Sequence, residues 1–461
     1  MKRANTFIIA IFISSLTATP ASAVNLMEVY EMATASDPLL KEAAANRMAT
    51  LESKPQARAG LFPNINLTGS YDDDTSDGTF SNASADDMGV VRVVQFPSNS
   101  ESNTLFYRLQ VTQPLFRWDR WIALKRADKS IAQAEATFGA AQQDLAVRVT
   151  QGYFNTLAAR DSLDAETLNK QAIKRQLEQN ETRFEVGLIA ITDVLESRAA
   201  YDQSVASEIA AKRQLALARE NLREIIGQRI DNLTAPGDNL ELVTPSPASA
   251  EAWVAKAQQQ NLNLEASRIA VEIANDDIRT QRTGHYPTVD LILGRTERDV
   301  DGISINSGLE FPNDQDSSND TISLQFSVPI YSGGAVSSRV RQAVYQKQAA
   351  QQRLERIARE TERQTRDAYL SVLAEISRVR ALREAVKSSE TALSATEAGF
   401  DVGTRTSVDV LNSRRDLLRS QVNYYLSRYD YLVNLINLKR AAGTLSSADL
   451  NEMSGWLESS Q

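Results

Sequence analysis

The chain has no cysteine and a single histidine, His285. Without thiols there are no disulfides, no thiolate nucleophile and no Cys-ligated metal. One imidazole leaves few ways to pair a nucleophile with a base. His285 precedes Tyr286-Pro287, with no clustered acids beside it, and is a poor candidate metal ligand. No cofactor or metal is expected. GxxxxGK[ST], HExxH and GxSxG are also missing, which removes the common phosphate-loop, zinc-protease and serine-hydrolase readings. Paired carboxylates can still hydrolyse glycosides, but here the acids lie among Lys and Arg on helical stretches, where a solvated face explains them better. A basic excess is absent too: Lys and Arg number 50 against 59 Asp and Glu, a net charge of −9. That argues against nucleic acid as a partner. Past the leader region no apolar run approaches the roughly 20 residues of a membrane-spanning helix.

What is present begins with a leader. Lys2 and Arg3 precede the apolar run 7–13, and Ala21-Ser-Ala23 supplies small residues ahead of Val24. This is the pattern of a secretory signal peptide covering 1–23, and its apolar run is too short to anchor the chain. An exported chain without a spanning helix is periplasmic, secreted, or inserted as β-strands.

The rest is organised by a duplication. Residues 183–198 read RFEVGLIAITDVLESR and residues 399–414 read GFDVGTRTSVDVLNSR. Tyr153 and Tyr369, and Gly227 and Gly443, keep the same spacing. Pro114 matches Pro329 and Pro63 matches Pro287 at slightly different spacings, so length varies between the Pro markers, as exposed loops tolerate. The expected division is a first repeat over 24–227, a linker over 228–248, a second repeat over 249–442 and a tail over 443–461.

Each repeat has one order. An opening helical stretch, 26–60 or 249–284, ends at a Pro-marked junction. Two segments with partial apolar alternation follow, 64–71 and 104–112 in the first repeat, 288–295 and 321–328 in the second, which predicts four strands. The stretches between them, 76–103 and 299–320, are rich in Asp, Ser, Asn and Gly and read as solvated loops. Long Pro-free helical runs follow, 118–186 and 332–402, with a 3,4 apolar spacing through Leu124, Ala127, Ile131, Ala134, Phe138, Ala141 and Leu145. Gly187 and Gly403 predict left-handed C-terminal turns, and return helices follow over 190–227 and 406–442. Each long run would extend roughly 100 Å at about 1.5 Å per residue, and the return and opening helices of one repeat together match it. Such helices suit a wall or stalk, with the linker and tail as a belt.

Four strands cannot close a barrel, and an open sheet edge is not viable in lipid, so a barrel must be shared among chains. The aromatics Phe62, Phe116, Trp118, Trp121, Tyr286 and Tyr331 flank the strand ends. They fit either core packing or an interfacial girdle, and their placement favours the girdle.

The paired turn sequences, QPLF at 113–116 and Leu438-Lys-Arg-Ala-Ala-Gly-Thr-Leu445 together resemble the TolC family of trimeric outer-membrane efflux proteins. The resemblance implies an α+β membrane protein: four strands per chain in a barrel of twelve shared by a homotrimer in outer-membrane lipid, and long coiled-coil helices forming a periplasmic α-barrel. It implies a passive duct for drugs, bile salts and dyes, and for type I protein secretion. The duct would be opened by a periplasmic adaptor (membrane fusion) protein and an inner-membrane RND or ABC pump. The resemblance also places an entrance. Asp409 corresponds to a ring of carboxylates, and Asn412 stands where a second ring acid is usual. Thr192, Asp193 and Arg405 correspond to polar links that hold the entrance shut. Phe400 replaces a Tyr of those links and lacks its hydroxyl. Adaptor tips would meet the turns Val186-Gly187-Leu188 and Val402-Gly403-Thr404.

The residues themselves also allow plainer roles. Asp193 and Asp409 follow a Gly turn at a helix start, where an acid caps the helix and complements its dipole; a ring of carboxylates would in addition repel itself and attract cations. Arg405 suits a solvated or intrachain-paired side chain as well as a gate. Two other functions compete. A periplasmic coiled-coil adaptor without a pore explains the helices but not four matched strands, and a secreted hydrolase lacks its motifs.

Overall fold

The structure is a computed structural model that describes residues 23–85, 87–237, 240–306 and 309–458. The expected leader lies outside the described residues except for Ala23. Among the described residues no helix is long and apolar enough to cross a membrane. The chain forms two compact units. One comprises the described parts of 1–44, 137–264 and 358–461, the other 45–136 and 265–357.

The opening stretch is not one helix. It forms α1 (Leu26–Ser36), α2 (Pro38–Leu51) and α3 (Ser53–Ala59). Pro38 forces the break: its ring disfavours helical backbone at Asp37, which lies at ψ 121°, while Pro is suited to the first helical position. The opening stretch of the second repeat breaks in the same way, into α6 (Ala250–Gln260) and α7 (Leu262–Arg282), at Asn261 with ψ 119° and no proline. Each break residue caps the helix it starts. Leu40 N–H donates to Asp37 Oδ2 (2.8 Å) and Leu264 N–H to Asn261 Oδ1 (3.1 Å).

The strands are β1 (Asn64–Ala85), β2 (Val91–Phe116), β3 (Thr288–Asn306), β4 (Leu309–Pro312) and β5 (Gln315–Ser327). All pair antiparallel in the order β1, β2, β3, with β5 and the short β4 both on the far side of β3. The expected loops 76–103 and 299–320 are therefore mostly strand. Their Asp, Ser and Asn mislead because both faces there are solvated and the ladder continues from the paired base. The register separates two faces. Ile65, Leu67 and Tyr71 align with Val111, Leu109 and Leu105, and Val289, Leu291 and Leu293 with Phe326, Leu324 and Ile322. Val111 faces Leu293, which puts these side chains on one face. The other face carries Asn66, Thr68, Ser70, Gln110, Arg108, Thr296, Asn319 and Thr321. Apolar out and polar in is the pattern of a membrane barrel wall. Ile322 is 82% exposed, so nothing in the chain covers this face. Phe62, Phe116, Trp118, Trp121, Tyr286 and Tyr331 are all exposed at the strand bases, which excludes core packing within the chain.

The second unit also holds the start of α4 (Trp118–Glu185) and of α8 (Ala335–Asp401). Its helices are tied largely by charge: Arg47 to Glu135 (2.7 Å), Lys54 to Asp128 (2.7 Å), and Lys129 to the buried Asp276 (2.7 Å).

The first unit adds the rest of α4 and α8, the return helices α5 (Ile191–Ile226) and α9 (Ser407–Ala441), and α10 (Ser447–Glu458). Its core joins Leu26, Val29, Leu145, Tyr153, Phe154, Leu157, Tyr431, Leu432, Ile436, Leu450 and Met453. Two tyrosines pin the 228–248 segment to it. Tyr153 donates to the carbonyls of Thr234 (2.7 Å) and Val24 (3.1 Å), and Tyr431 bonds both backbone groups of Val243. Gly443, at φ +75°, touches the α6–α7 break so closely that a Cβ would lie 2.3 Å from the Gln260 carbonyl oxygen. Gly227 stands likewise against Ser36 at the α1–α2 break.

Arg148 grips Asp37 with two bonds of 2.9 and 2.8 Å, and Asp37 is only 2% exposed. Those bonds hold the Asp37 carboxyl below its usual range, against the opposing effect of burial. The stabilisation is present above the ordinary aspartate range and is lost as pH falls through the depressed value. Asp37→Ala removes two charge-assisted hydrogen bonds from the half-buried Arg148, which keeps Asp144 as a partner, and is expected to cost roughly 2 kcal/mol. Asn261→Ala loses a neutral cap and costs about 1 kcal/mol. Urea-denaturation midpoints of the two variants should differ in that order, and only the first difference should shrink in acid.

Candidate functional site at the helical hairpin turns

The candidate residues lie where α4 turns into α5 and α8 into α9. Both turns are built alike. Gly187 and Gly403 have φ +76° and +80°. Leu188 N–H donates to the Arg183 carbonyl and Gly187 N–H to that of Phe184; Thr404 bonds Gly399 and Gly403 bonds Phe400 in the same way. This paired closure is the Schellman motif, which needs a left-handed residue at the glycine. Val186, Leu188 and Val402 at these turns are exposed by 66%, 73% and 76%.

Asp409 sits in the first turn of α9 in a capping box. Thr406 N–H and its hydroxyl both donate to Asp409 Oδ2 (2.9 Å each), and Asp409 N–H donates to Thr406 Oγ1 (3.2 Å). These bonds, with a smaller contribution from Arg405, hold its carboxyl below the usual range. Asp193 occupies the equivalent place in the first turn of α5, accepting from Ala190 N–H at 3.3 Å. Arg405 folds over Gly399, where a Cβ would meet its Cγ at 2.8 Å. Among the described residues its guanidinium makes no hydrogen bond or ion pair, and neither Thr192, Asp193 nor Phe400 bonds it within the chain. Asn412 is exposed and accepts from Arg415 (3.0 Å), so a cation adjoins it.

The structure adds residues that the sequence reading missed. Arg183 Cζ lies 4.7 Å from the centre of the Phe400 ring, and its Nη2 donates to Asp401 Oδ1 at 3.0 Å. Asp401 is exposed, so this clasp is worth on the order of 1 kcal/mol. Beneath it Asn180 is wholly buried. Its Nδ2 donates to Ser197 Oγ and Ser407 Oγ, both at 2.7 Å, and its Oδ1 accepts from Gln176 Nε2 at 3.1 Å. An amide with all its bonds made is neutral to slightly favourable, whereas a buried donor left unpaired costs roughly 1–3 kcal/mol. The only signal in the sequence was that the repeats differ here: Arg183 and Asn180 stand opposite Gly399 and Thr396.

Among the described residues no group of His, Cys, Asp and Glu is arranged to hold a metal ion. A sheet with one apolar outer face, joined to two helical hairpins with matched exposed turns, defines an outer-membrane efflux duct. The family model for outer membrane efflux proteins matches residues 29–228 and 253–444. The chain belongs to that family. It is 37% identical to the outer membrane protein TolC of Vibrio cholerae over 454 residues, 98% of each chain. It is 28% identical to the alkaline protease secretion protein AprF of Pseudomonas aeruginosa over 455 residues, 98% of this chain and 90% of AprF. The solved CmeC outer membrane channel of Campylobacter jejuni has the same fold, with a TM-score of 0.73 at 16% identity, covering 98% of this chain and 96% of that one.

The depressed Asp409 carboxyl carries a pH dependence. Its cap persists above the ordinary aspartate range and is lost as pH falls through the lowered value. Amide hydrogen exchange in the first turn of α9 should therefore quicken in acid relative to the middle of α9, and Asp409→Ala should show that faster exchange already at neutral pH.

Proposed function

We propose that three copies of the chain close a shared barrel of twelve strands in the outer membrane, with the hairpin turns in the periplasm forming the entrance of a passive duct. The free edges of the sheet carry this reading. Neither the outer side of β1 nor that of β5 has a partner strand among the described residues, and exposed backbone donors and acceptors are not tolerated in hydrocarbon. Pairing β1 of one copy with β5 of the next satisfies both. The exposed aromatics at the strand bases then lie at the membrane interface.

The exposed apolar turns 186–188 and 402–404 suit a periplasmic adaptor protein, which links the duct to an inner-membrane RND or ABC pump. The pump supplies the energy. Membership of the efflux family and the likeness to AprF, an alkaline protease secretion protein, support both efflux and protein secretion. Asp409 faces the entrance as a ring of carboxylates, and Arg405 with Thr192 and Asp193 links neighbouring hairpins when it is shut. We assign the repeats to 24–227 and 249–442, with 228–248 as the linker between them and 443–461 as the tail.

Planar-bilayer recording of the purified protein tests this. Wild type should give a small cation-selective conductance. Asp409→Ala should lose selectivity and Arg405→Ser should raise conductance. Indifference to both changes would leave a channel and remove the entrance assignment. Trimers that resist detergent but dissociate on heating are expected in the outer-membrane fraction, and a soluble species in their place would overturn the shared barrel.

A further inference from the structure

We propose that Arg108 and Arg298, set around the Phe106 ring on the polar face of the sheet, form a binding site for organic anions with a flat apolar body. The proposal rests on the reading of that face as the lumen of a shared barrel.

The register builds the cluster. Phe106 on β2 stands directly opposite Arg298 on β3, and Arg108 stands opposite Thr296. Phe106 and Arg108 are two residues apart on one strand, so all four share the polar face. Arg108 and Arg298 are diagonal neighbours, about 7–8 Å apart at the backbone. Arg108 Cζ lies 5.1 Å from the centre of the Phe106 ring, and its Nε donates to Thr296 Oγ1 at 3.4 Å. A half-buried aromatic ring thus stands between two exposed arginines.

Neither cation has an acid. Among the described residues Arg108 and Arg298 make no ion pair. Arg117, at the base of the sheet, contrasts with them: it bonds Asp290 at 3.1 and 2.7 Å. The acid on this face nearest in register is Asp72 on β1, opposite Thr104, and its Oδ2 accepts from the Ser70 hydroxyl at 3.0 Å. To the same face β5 brings no charge, only residues such as Gln315, Ser317, Asn319 and Thr321. The acids at this height lie on the opposite face, where Asp299 stands against Asp316 beside Glu297. The chain as a whole has a net charge of −9, so a positive strip here is a segregation of charge.

The chemistry selects a ligand class. A guanidinium takes a carboxylate or sulfonate through two parallel hydrogen bonds, and the Phe106 ring offers an apolar surface beside it. A small inorganic anion can use only the first, and an uncharged aromatic only the second. A flat apolar body with an anionic group uses both. Three copies would set three such sites and six guanidiniums around the lumen, and a low-dielectric wall focuses their field into the water it encloses. Contacts of this kind are weak enough to release what they hold, as conduction requires.

The test is isothermal titration calorimetry of purified trimers with naphthalene-1,5-disulfonate as the probe. Three equivalent sites per trimer are expected. Arg108→Gln with Arg298→Gln should weaken binding at least tenfold, and Phe106→Ala should weaken it severalfold. Asp72→Asn, which removes the nearest acid of the same face, should tighten it, a gain that a poorly folded variant could not mimic. A second readout is the reversal potential at about 10 mM salt, where charges act over roughly 30 Å. In the Asp409→Ala background, the two Arg→Gln changes should move it further towards cations. If the trimers conduct while the arginine variants bind the probe and select ions as their parents do, the site is wrong and the barrel stands. If no trimer conducts, the barrel reading falls and the site with it.

Discussion

Hydrocarbon offers no partner for a backbone amide or carbonyl. Every other feature of this chain can be followed from that constraint. The sheet has two free edges and an apolar face that nothing in the chain covers, with Ile322 and Leu324 turned outward beside Leu293 and Leu291. A soluble domain would be liable to aggregate on such a surface. Set in a membrane, the same surface asks only for neighbours to complete it. The polar opposite face, lined by Thr, Ser, Asn and Arg, then faces water. The chain is thus a segment of a wall, and its own fold is incomplete where the wall continues.

Stability is unevenly distributed within the helical unit. Around Tyr153, Phe154 and Tyr431 the packing is apolar, fully buried and stapled to the 228–248 segment by phenol hydrogen bonds. Towards Gly187 and Gly403 the contacts become polar: an amide shared among serines, a guanidinium on a ring, carboxylates capping helix ends. Contacts of the second kind are weak singly and specific in geometry. Elements that move in function are drawn from the low-stability end of a structure. The chemistry of the turns matches that requirement, and the core supplies a fixed frame against which they can move.

Much of this was legible in the sequence, for identifiable reasons. The long helices stood out because α4 and α8 lack proline over 68 and 67 residues. The turns were marked by glycine in a repeated motif. The strand bases were marked by alternation that began at Asn64 and Thr288. The break at Asn261 was not legible, because no proline announces it and its cause is tertiary: Asn261 Nδ2 bonds the Ala441 carbonyl while Gly443 occupies the bend. The outer halves of β1 and β2 were hidden by their solvation, since a strand wet on both faces shows no alternation. Asn180 and Arg183 were hidden for a third reason. Periodicity says which face of a helix is buried, and not which helix will be found against it.

The two turns share one backbone design yet carry different side chains. Both close with the same pair of hydrogen bonds around a left-handed glycine, but Leu188 stands opposite Thr404 and Arg183 opposite Gly399. In a ring of three such chains, a partner that recognises the shape of the turn would find six sites. One that recognises the side chains would find three of each kind, in alternation. Binding stoichiometry would therefore report which feature a partner reads, and a single duplicated gene can present two valencies from one surface.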